Sequence, residues 1–263
     1  MPLLANDALQ RVRAGELTLG LGINHLRGSA VPLLAKAAGF DFLFIDAEHG
    51  AISTPEISQM AIAALGYGVV PIVRICSGAF HEGTRALDNG ALGLVVPHVD
   101  TPEEARRLVD AFRFPPAGHR STGGSNAAFG YRPPPVAEAS RTLNAEILII
   151  PMIETPLAVE NADAIAAIAG IDALLMGSND LSLEMGIPGQ LGHDRIREAF
   201  EKVGAACRRH GKVLGMGGVY DQELASRYIG MGARLVLAAN DHALVLNAMT
   251  QRAQFLRGVP LGS

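Results

Sequence analysis

The sequence predicts a closed (β/α)₈ barrel of the TIM type, in a single domain, on three observations. Apolar, partly β-branched runs recur eight times, helix-like stretches separate them, and polar residues stand where several of the runs stop. Near-continuous apolar runs suit parallel strands buried on both faces, and their alternation with helices gives a sheet covered by helices. At 263 residues the chain is ordinary for one barrel and long for one sandwich.

The first run is 18–23 (TLGLGI), with a helical pattern at 29–38 (SAVPLLAKAA). The second, 42–46 (FLFID), precedes a helix at 54–65, opened by Ser53, Thr54 and Pro55. Strands at 69–74 (VVPIVR) and 94–97 (LVVP) precede helices at 79–89 and 101–112. Strands at 147–152 (ILIIPM) and 173–176 (ALLM) precede helices at 156–168 and 194–210. The last two, 213–216 (VLGM) and 235–239 (LVLAA), precede 221–231 and an extended C-terminal helix at 241–257. The STPE and TPEE openings put Ser or Thr at the N-cap, Pro at the first helical position and Glu in the first turn.

One connection is much longer than the others. Between the fourth and fifth strands, 114–146 contains FPPAGHRSTGGSNAAFGYRPPP, whose Gly123–Gly124 pair and three prolines at 133–135 predict a shaped loop. A connection of that length in a compact domain predicts a lid or substrate loop. The competing fold, an open doubly wound sheet, would announce a Gly-rich turn after its first strand. LGINHLRGS has no GxGxxG and the chain has no GxxxxGK[ST], which argues against nucleotide binding.

Composition excludes several classes. Hydrophobic residues are 49% against 18% charged, yet no charge-free apolar stretch is long enough to span a bilayer, so the apolarity belongs to a core. The N-terminus lacks the layout of a secretory signal, and the expected compartment is the cytoplasm. A net charge of −4 with scattered basic residues, no Trp and 5% aromatics disfavours nucleic acid as a partner. Cys76 and Cys207 are far apart with no CxxC spacing, and read as packing residues.

The residues at the strand ends carry the chemistry. Asp46, Glu48 and His49 follow the second strand, Arg74 ends the third, Glu154 follows the fifth and Asp180 the sixth. In a barrel these ends form the rim where reactions occur. Glu154 and Asp180 from adjacent strands suit a divalent cation whose remaining positions go to water and substrate oxygens. Helix capping is the plainer reading of each acid taken alone. His49 suits proton transfer, with Asp46 and Glu48 able to fix its tautomer. Arg74 interrupts an apolar run and needs an anion, either a substrate oxygen or Asp46 and Glu48. His25 and His98 also end strands, in poorer company. The three lysines, Lys36, Lys202 and Lys212, fall away from the strand ends, so a Schiff base has no candidate. GxSxG is absent, which leaves a triad hydrolase unsupported.

The motifs DAEHG, VPIVRI, LDNGALGLVVPHVDTPEEA, FPPAGHR, MIET and GSNDLSLEMG resemble, in order and spacing, those of the HpcH/HpaI family of metal-dependent class II pyruvate aldolases. The resemblance runs from about residue 18 to the C-terminal helix. It implies a (β/α)₈ barrel, usually a homohexamer built as a trimer of dimers with a swapped terminal helix. The implied reaction is reversible cleavage of a 4-hydroxy-2-oxo acid to pyruvate and an aldehyde, with Mg²⁺, Mn²⁺ or Co²⁺. His49 resembles the catalytic His, Arg74 the residue that stabilises the enolate, and Glu154 and Asp180 the metal ligands. Asn179 would offer its backbone N–H to the substrate carboxylate, and Asp88 resembles an acid that raises the basicity of the His, although Asp46 is closer in sequence. Three departures point to altered specificity. Met152 stands where the family commonly has Gln, Leu92 replaces another frequent Gln, and Ser178 and Asn179 replace the usual Pro-Ala. The rival readings are an oxaloacetate-type decarboxylase, an acyl-CoA lyase, and a catalytically silent metabolite-binding barrel.

Overall fold

Strands buried on both faces must be covered inside and out, and this chain achieves that by closing them on themselves. The computed structural model describes residues 6–124 and 126–261; residues 1–5, Ser125 in the long connection and residues 262–263 lie outside the description. Eight parallel strands form a closed barrel in chain order: β1 (Thr18–Ile23), β2 (Phe42–Asp46), β3 (Val70–Arg74), β4 (Gly93–Val96), β5 (Leu148–Ile153), β6 (Ala173–Gly177), β7 (Val213–Gly217) and β8 (Ala233–Asn240). Their bounds differ from the sequence expectation by at most two residues. Eleven helices are described: α1 (Asp7–Arg13), α2 (Ala30–Ala37), α3 (Thr54–Tyr67), α4 (Phe80–Asp88), α5 (Pro102–Phe112), α6 (Val136–Glu146), α7 (Pro156–Ala166), α8 (Ser178–Glu184), α9 (Asp194–His210), α10 (Gln222–Gly230) and α11 (Asp241–Arg257). Of these, α1, α6 and α8 were not expected.

The barrel interior is packed. Phe42, Phe44, Ile72, Val95, Ile150, Leu175, Leu235 and Leu237 surround a residual void of only about 10 Å³. Gly20 on β1 permits this, since a Cβ there would lie 2.1 Å from the Phe42 ring. Helix starts follow their sequence signals. At α5 the Thr101 hydroxyl accepts the Glu104 N–H at 3.2 Å, and the Glu104 carboxylate accepts the Thr101 N–H at 3.0 Å, a reciprocal cap for orphan donors.

The long connection behaves differently from the expected lid. It holds a 3₁₀ turn (Ala127–Phe129) and α6, and packs where the strands begin, away from the rim. With Asp88 and Arg120 it encloses a cavity of about 370 Å³ that shares no lining residue with the rim cavity. The turn of chain that delivers it is held by Arg113, which is buried and donates to the carbonyls of Asn144, Ile147 and Gly170 and to Asp172 at 2.5 Å. Burial lowers the affinity of this guanidinium for its proton, and the Asp172 charge works against that loss.

A guanidinium that satisfies four groups beneath the barrel cannot be removed cheaply. Arg113→Leu should cost about 3–5 kcal/mol, the range for breaking a buried pair, measured as a lower urea midpoint with an unchanged slope.

Candidate active site

Asp46 and Arg74 end neighbouring strands and are direct register partners across the β2–β3 ladder. The guanidinium closes on the carboxylate as a fork, Nε donating to Oδ1 at 3.0 Å and Nη2 to Oδ2 at 2.6 Å. Asn24, just past β1, donates its side-chain N–H to Asp46 Oδ2 at 2.7 Å. The backbone N–H groups of Glu48 and His49 both reach Oδ1 at 3.1 Å. Burial works to raise the Asp46 pKa, but the Arg74 hydrogen bond and charge, with the two backbone donors, hold it below the usual carboxylate value. Burial likewise opposes the charge of Arg74, and Asp46, Glu48 and Glu154 together hold its pKa above the ordinary arginine value.

The arrangement corrects one expectation about His49. Asp46 binds the His49 backbone, while the ring lies 3.8 Å from Glu48 Oε2 and is 64% exposed. Glu48 therefore stands between the His49 ring and the Arg74 guanidinium, since its Oε2 is also 3.2 Å from Arg74 Nη1. Asp88 is at the end of α4, where the strands begin, and accepts a 2.7 Å hydrogen bond from the buried Arg120. Within one chain Asp88 and His49 are on opposite ends of the barrel.

Glu154 and Asp180 lie on the far side of the mouth. Glu154 follows β5 and is 1% exposed, and its Oε1 accepts the His98 backbone N–H at 2.8 Å. Burial raises its pKa; the His98 contacts oppose the rise and the charges of Asp180 and Glu48 add to it. Space for this carboxylate comes from Gly177, where a Cβ would sit 2.5 Å from Glu154 Oε2. Asp180 does not end β6 as expected. It occupies the first turn of α8, a helix that begins immediately after the strand. Ser178 in the same turn is fully buried, and its hydroxyl has no hydrogen-bond partner among the described residues. Two carboxylates close enough to feel each other's charge, with the unpartnered Ser178 hydroxyl in the same turn as Asp180, are oxygen donors of the kind that a hard divalent cation sharing its shell with substrate oxygens takes. No group of three or more His, Cys, Asp or Glu side chains among the described residues has the placing of an all-protein metal cage.

Asp46, His49, Arg74, Met152, Ser178, Asn179 and Asp180 line one rim cavity of about 330 Å³. Asn24, Tyr220 and Asn240, which the sequence reading passed over, line the same cavity along its β7–β8–β1 side. Burial raises the Tyr220 phenol pKa, opposed by its hydrogen bond to Asn240. Asn24 and Asn240 each sit at the carboxyl end of a strand, so the rule that found Arg74 also reaches them. Met152 places its sulfur 4.0 Å from Arg74 Nη1.

The HpcH/HpaI aldolase/citrate lyase family model matches residues 29–248. This chain belongs to that family. It is an enzyme, a carbon–carbon lyase of the class II aldolase type. A 4-hydroxy-4-methyl-2-oxoglutarate aldolase of Hapsidospora irregularis is 41% identical to it over 93% of this chain and 92% of the relative. A 2-keto-3-deoxy-L-rhamnonate aldolase of Salmonella gallinarum is 31% identical over 98% and 95%. Among solved structures, the HpcH/HpaI aldolase from Desulfitobacterium hafniense DCB-2 superposes with a TM-score of 0.89 at 32% identity, covering 95% of this chain and 96% of that one.

The wall containing Asn24 is tied to the start of α11 through Asp241, whose carboxylate accepts the N–H groups of Asn24, His25 and Leu26 at 3.2, 2.8 and 2.6 Å. Burial pushes this carboxyl up, but the backbone donors hold its pKa below the ordinary value. A depressed folded-state pKa stabilises above the unfolded value, and that stability is lost as pH falls through the folded value. Asp241→Asn should therefore lower the denaturation midpoint at pH 7, and the gap from wild type should narrow below about pH 4, as followed by circular dichroism.

Proposed function

We propose that this enzyme reversibly cleaves a 4-hydroxy-2-oxo acid to pyruvate and a carbonyl fragment, with its divalent cation held by Glu154 and Asp180. The observation that carries the reading is the convergence on one cavity of the Arg74–Asp46 fork, the exposed His49 ring and Asp180, with Glu154 buried beneath. A divalent cation there would supply positive charge for the 1-carboxylate and 2-oxo oxygens and for the enolate that develops from them. Mg²⁺, Mn²⁺ and Co²⁺ all suit these oxygen donors.

The side chains divide the remaining work. His49 accepts the 4-hydroxyl proton, the C3–C4 bond breaks with its electron pair passing into the enolate, and the new carbonyl leaves. Arg74 Nη1 is free of the Asp46 fork and steadies the enolate oxygen as negative charge grows there. Return of a proton to C3 completes pyruvate. Ser178 and Asn179, at the start of α8, orient the substrate carboxylate. Asp46 keeps Arg74 and the His49 backbone in register. Asp88 can serve His49 only across a subunit boundary.

An oligomer supports that last assignment. In α11 only Asp241 is buried, while Leu244, Val245, Leu246, Met249, Phe255 and Leu256 are exposed. Such a helix is incompletely covered by its own barrel. We infer a homohexamer, a trimer of dimers, in which α11 docks on a neighbouring copy. No described helix is long and apolar enough to cross a membrane, and both cysteines are free, in keeping with a cytoplasmic enzyme.

The carbonyl fragment is an aldehyde or a ketone. The Hapsidospora relative is named for a substrate with a tertiary alcohol, whose cleavage yields two pyruvates. Pyruvate release from that acid and from an unbranched 4-hydroxy-2-oxo acid should cease with EDTA and return with Mn²⁺ or Mg²⁺. Release of CO₂ from oxaloacetate without aldol cleavage would favour a decarboxylase instead. Arg74→Lys keeps the charge but loses the fork, and should lower kcat by about 100-fold or more, as for loss of one oxyanion donor; steady-state kinetics at saturating metal checks this. Light scattering on the protein lacking α11 should report a smaller assembly than the full chain.

A further inference from the structure

Two non-glycine residues among those described have left-handed backbone, His98 at φ 52° and Tyr131 at φ 61°. Tyr131 lies in the long connection beside a turn. His98 lies at the carboxyl end of the barrel, just after β4, where an L residue enters this region only at a cost. Surrounding structure must hold it there.

That conformation gives His98 two contacts with the same oxygen. Its backbone N–H donates to Glu154 Oε1 at 2.8 Å, and its ring Nδ1 approaches that oxygen to 3.4 Å. β4 and β5 are hydrogen-bonded neighbours, so the contact reaches across one seam of the barrel. The other oxygen, Oε2, accepts no hydrogen bond from a described residue and faces Gly177. One oxygen is committed to His98, and the other lies beside Gly177, a residue that lines the rim cavity. The ring itself is 54% exposed and is not a core residue. A side chain that is half in solvent, on a strained backbone, beside a carboxylate that is 1% exposed needs a reason other than packing.

We propose that His98 is a positioning residue for Glu154, its left-handed turn and imidazole together fixing Oε1 so that Oε2 is presented to the divalent cation. This rests on the reading of Glu154 as a metal ligand. Groups that orient a metal's ligands typically change affinity by about 10–100-fold when removed. The sequence reading ranked His98 below His49 because its neighbours Pro97 and Val99 carry no charge. Its partner is 56 residues away, which local sequence cannot reveal.

The test is Mn²⁺ binding to the full chain, followed by the electron paramagnetic resonance signal of the free ion, with no substrate present. His98→Val removes the ring and disfavours the left-handed turn, and should weaken binding by about 10-fold or more. His98→Asn, which enters that region readily but lacks the ring, should bind Mn²⁺ with an affinity between those of the Val variant and wild type. Circular dichroism and the melting temperature establish that each variant is folded. If the Val variant does not fold, His98→Ala, which removes the ring alone, must still bind Mn²⁺ more weakly than wild type. Wild-type affinity in a folded Val variant, or in the Ala variant used in its place, overturns the role of His98 while leaving the metal site standing. Failure of the wild-type chain itself to bind Mn²⁺ overturns the metal-ligand reading of Glu154, and the role of His98 with it.

Discussion

Asp46 is the carboxylate on which the geometry of the rim depends. Five donors converge on its two oxygens, from Arg74 twice, from Asn24, and from the backbones of Glu48 and His49. They belong to the ends of β1, β2 and β3, so one side chain holds three strand ends and the loop that carries His49. A buried ion pair is a poor source of net stability, because desolvating both charges offsets most of their attraction. What such a pair supplies is a fixed direction. The fork commits Nε and Nη2 of Arg74, which leaves Nη1 as the donor turned toward Glu48 and Met152.

The closed barrel is what lets residues so distant in sequence meet. Parallel strands in chain order place each carboxyl end beside the next, and Asp46 and Arg74 become register partners although 28 residues separate them. Packing the interior solid keeps those ends from moving. Phe42 fills the space that Gly20 vacates, and the Arg74 guanidinium lies 5.4 Å from the centre of the Phe44 ring. The catalytic end thus rests on a rigid apolar column, while the buried Arg113 network secures the opposite end. Stability and chemistry are assigned to different faces of the same sheet.

The strands were legible because burial on both faces writes a continuous apolar run into the sequence, and the long helices because their caps are explicit. The elements that escaped are short or lack such signals. The seven residues of α8 follow β6 with no intervening loop, too short a stretch to show a helical period, so in the sequence Asp180 reads as a residue of the strand end. The prolines before α6 read as loop, although Pro135 is the residue that starts the helix. In the site, Asp46, Arg74, Glu154 and Asp180 were visible as polar breaks after apolar runs. Asn24 and Asn240 met the same rule but carry no charge, and Tyr220 lies three residues beyond β7. The partners were not visible at all. That Asp46 would bind the His49 backbone and leave its ring near Glu48, or that Arg120 would hold Asp88 at the other end, depends on contacts between distant segments.

The charges around the mouth explain why its two walls differ. Asp46 and Glu48 are balanced locally by Arg74, and His49 stands beside Glu48. Among the described residues neither Glu154 nor Asp180 pairs with an Arg or Lys, Glu154 having only the His98 ring at 3.4 Å, and the charge of Asp180 makes ionising the buried Glu154 harder. Positive charge is therefore wanted on the β5–β6 side, and the divalent cation proposed there would answer that need. The β7–β8–β1 wall has Asn24, Tyr220 and Asn240, which are neutral donors and acceptors. These groups carry no charge, but they distinguish partners by hydrogen bonding, and an unmatched buried polar group costs more than a poor apolar fit. The two walls thus have separable tasks. In the proposed reaction the charged groups are left to bind the pyruvate half and the neutral wall to choose the carbonyl half, and Met152 brings bulk and no hydrogen-bond donor to the cavity.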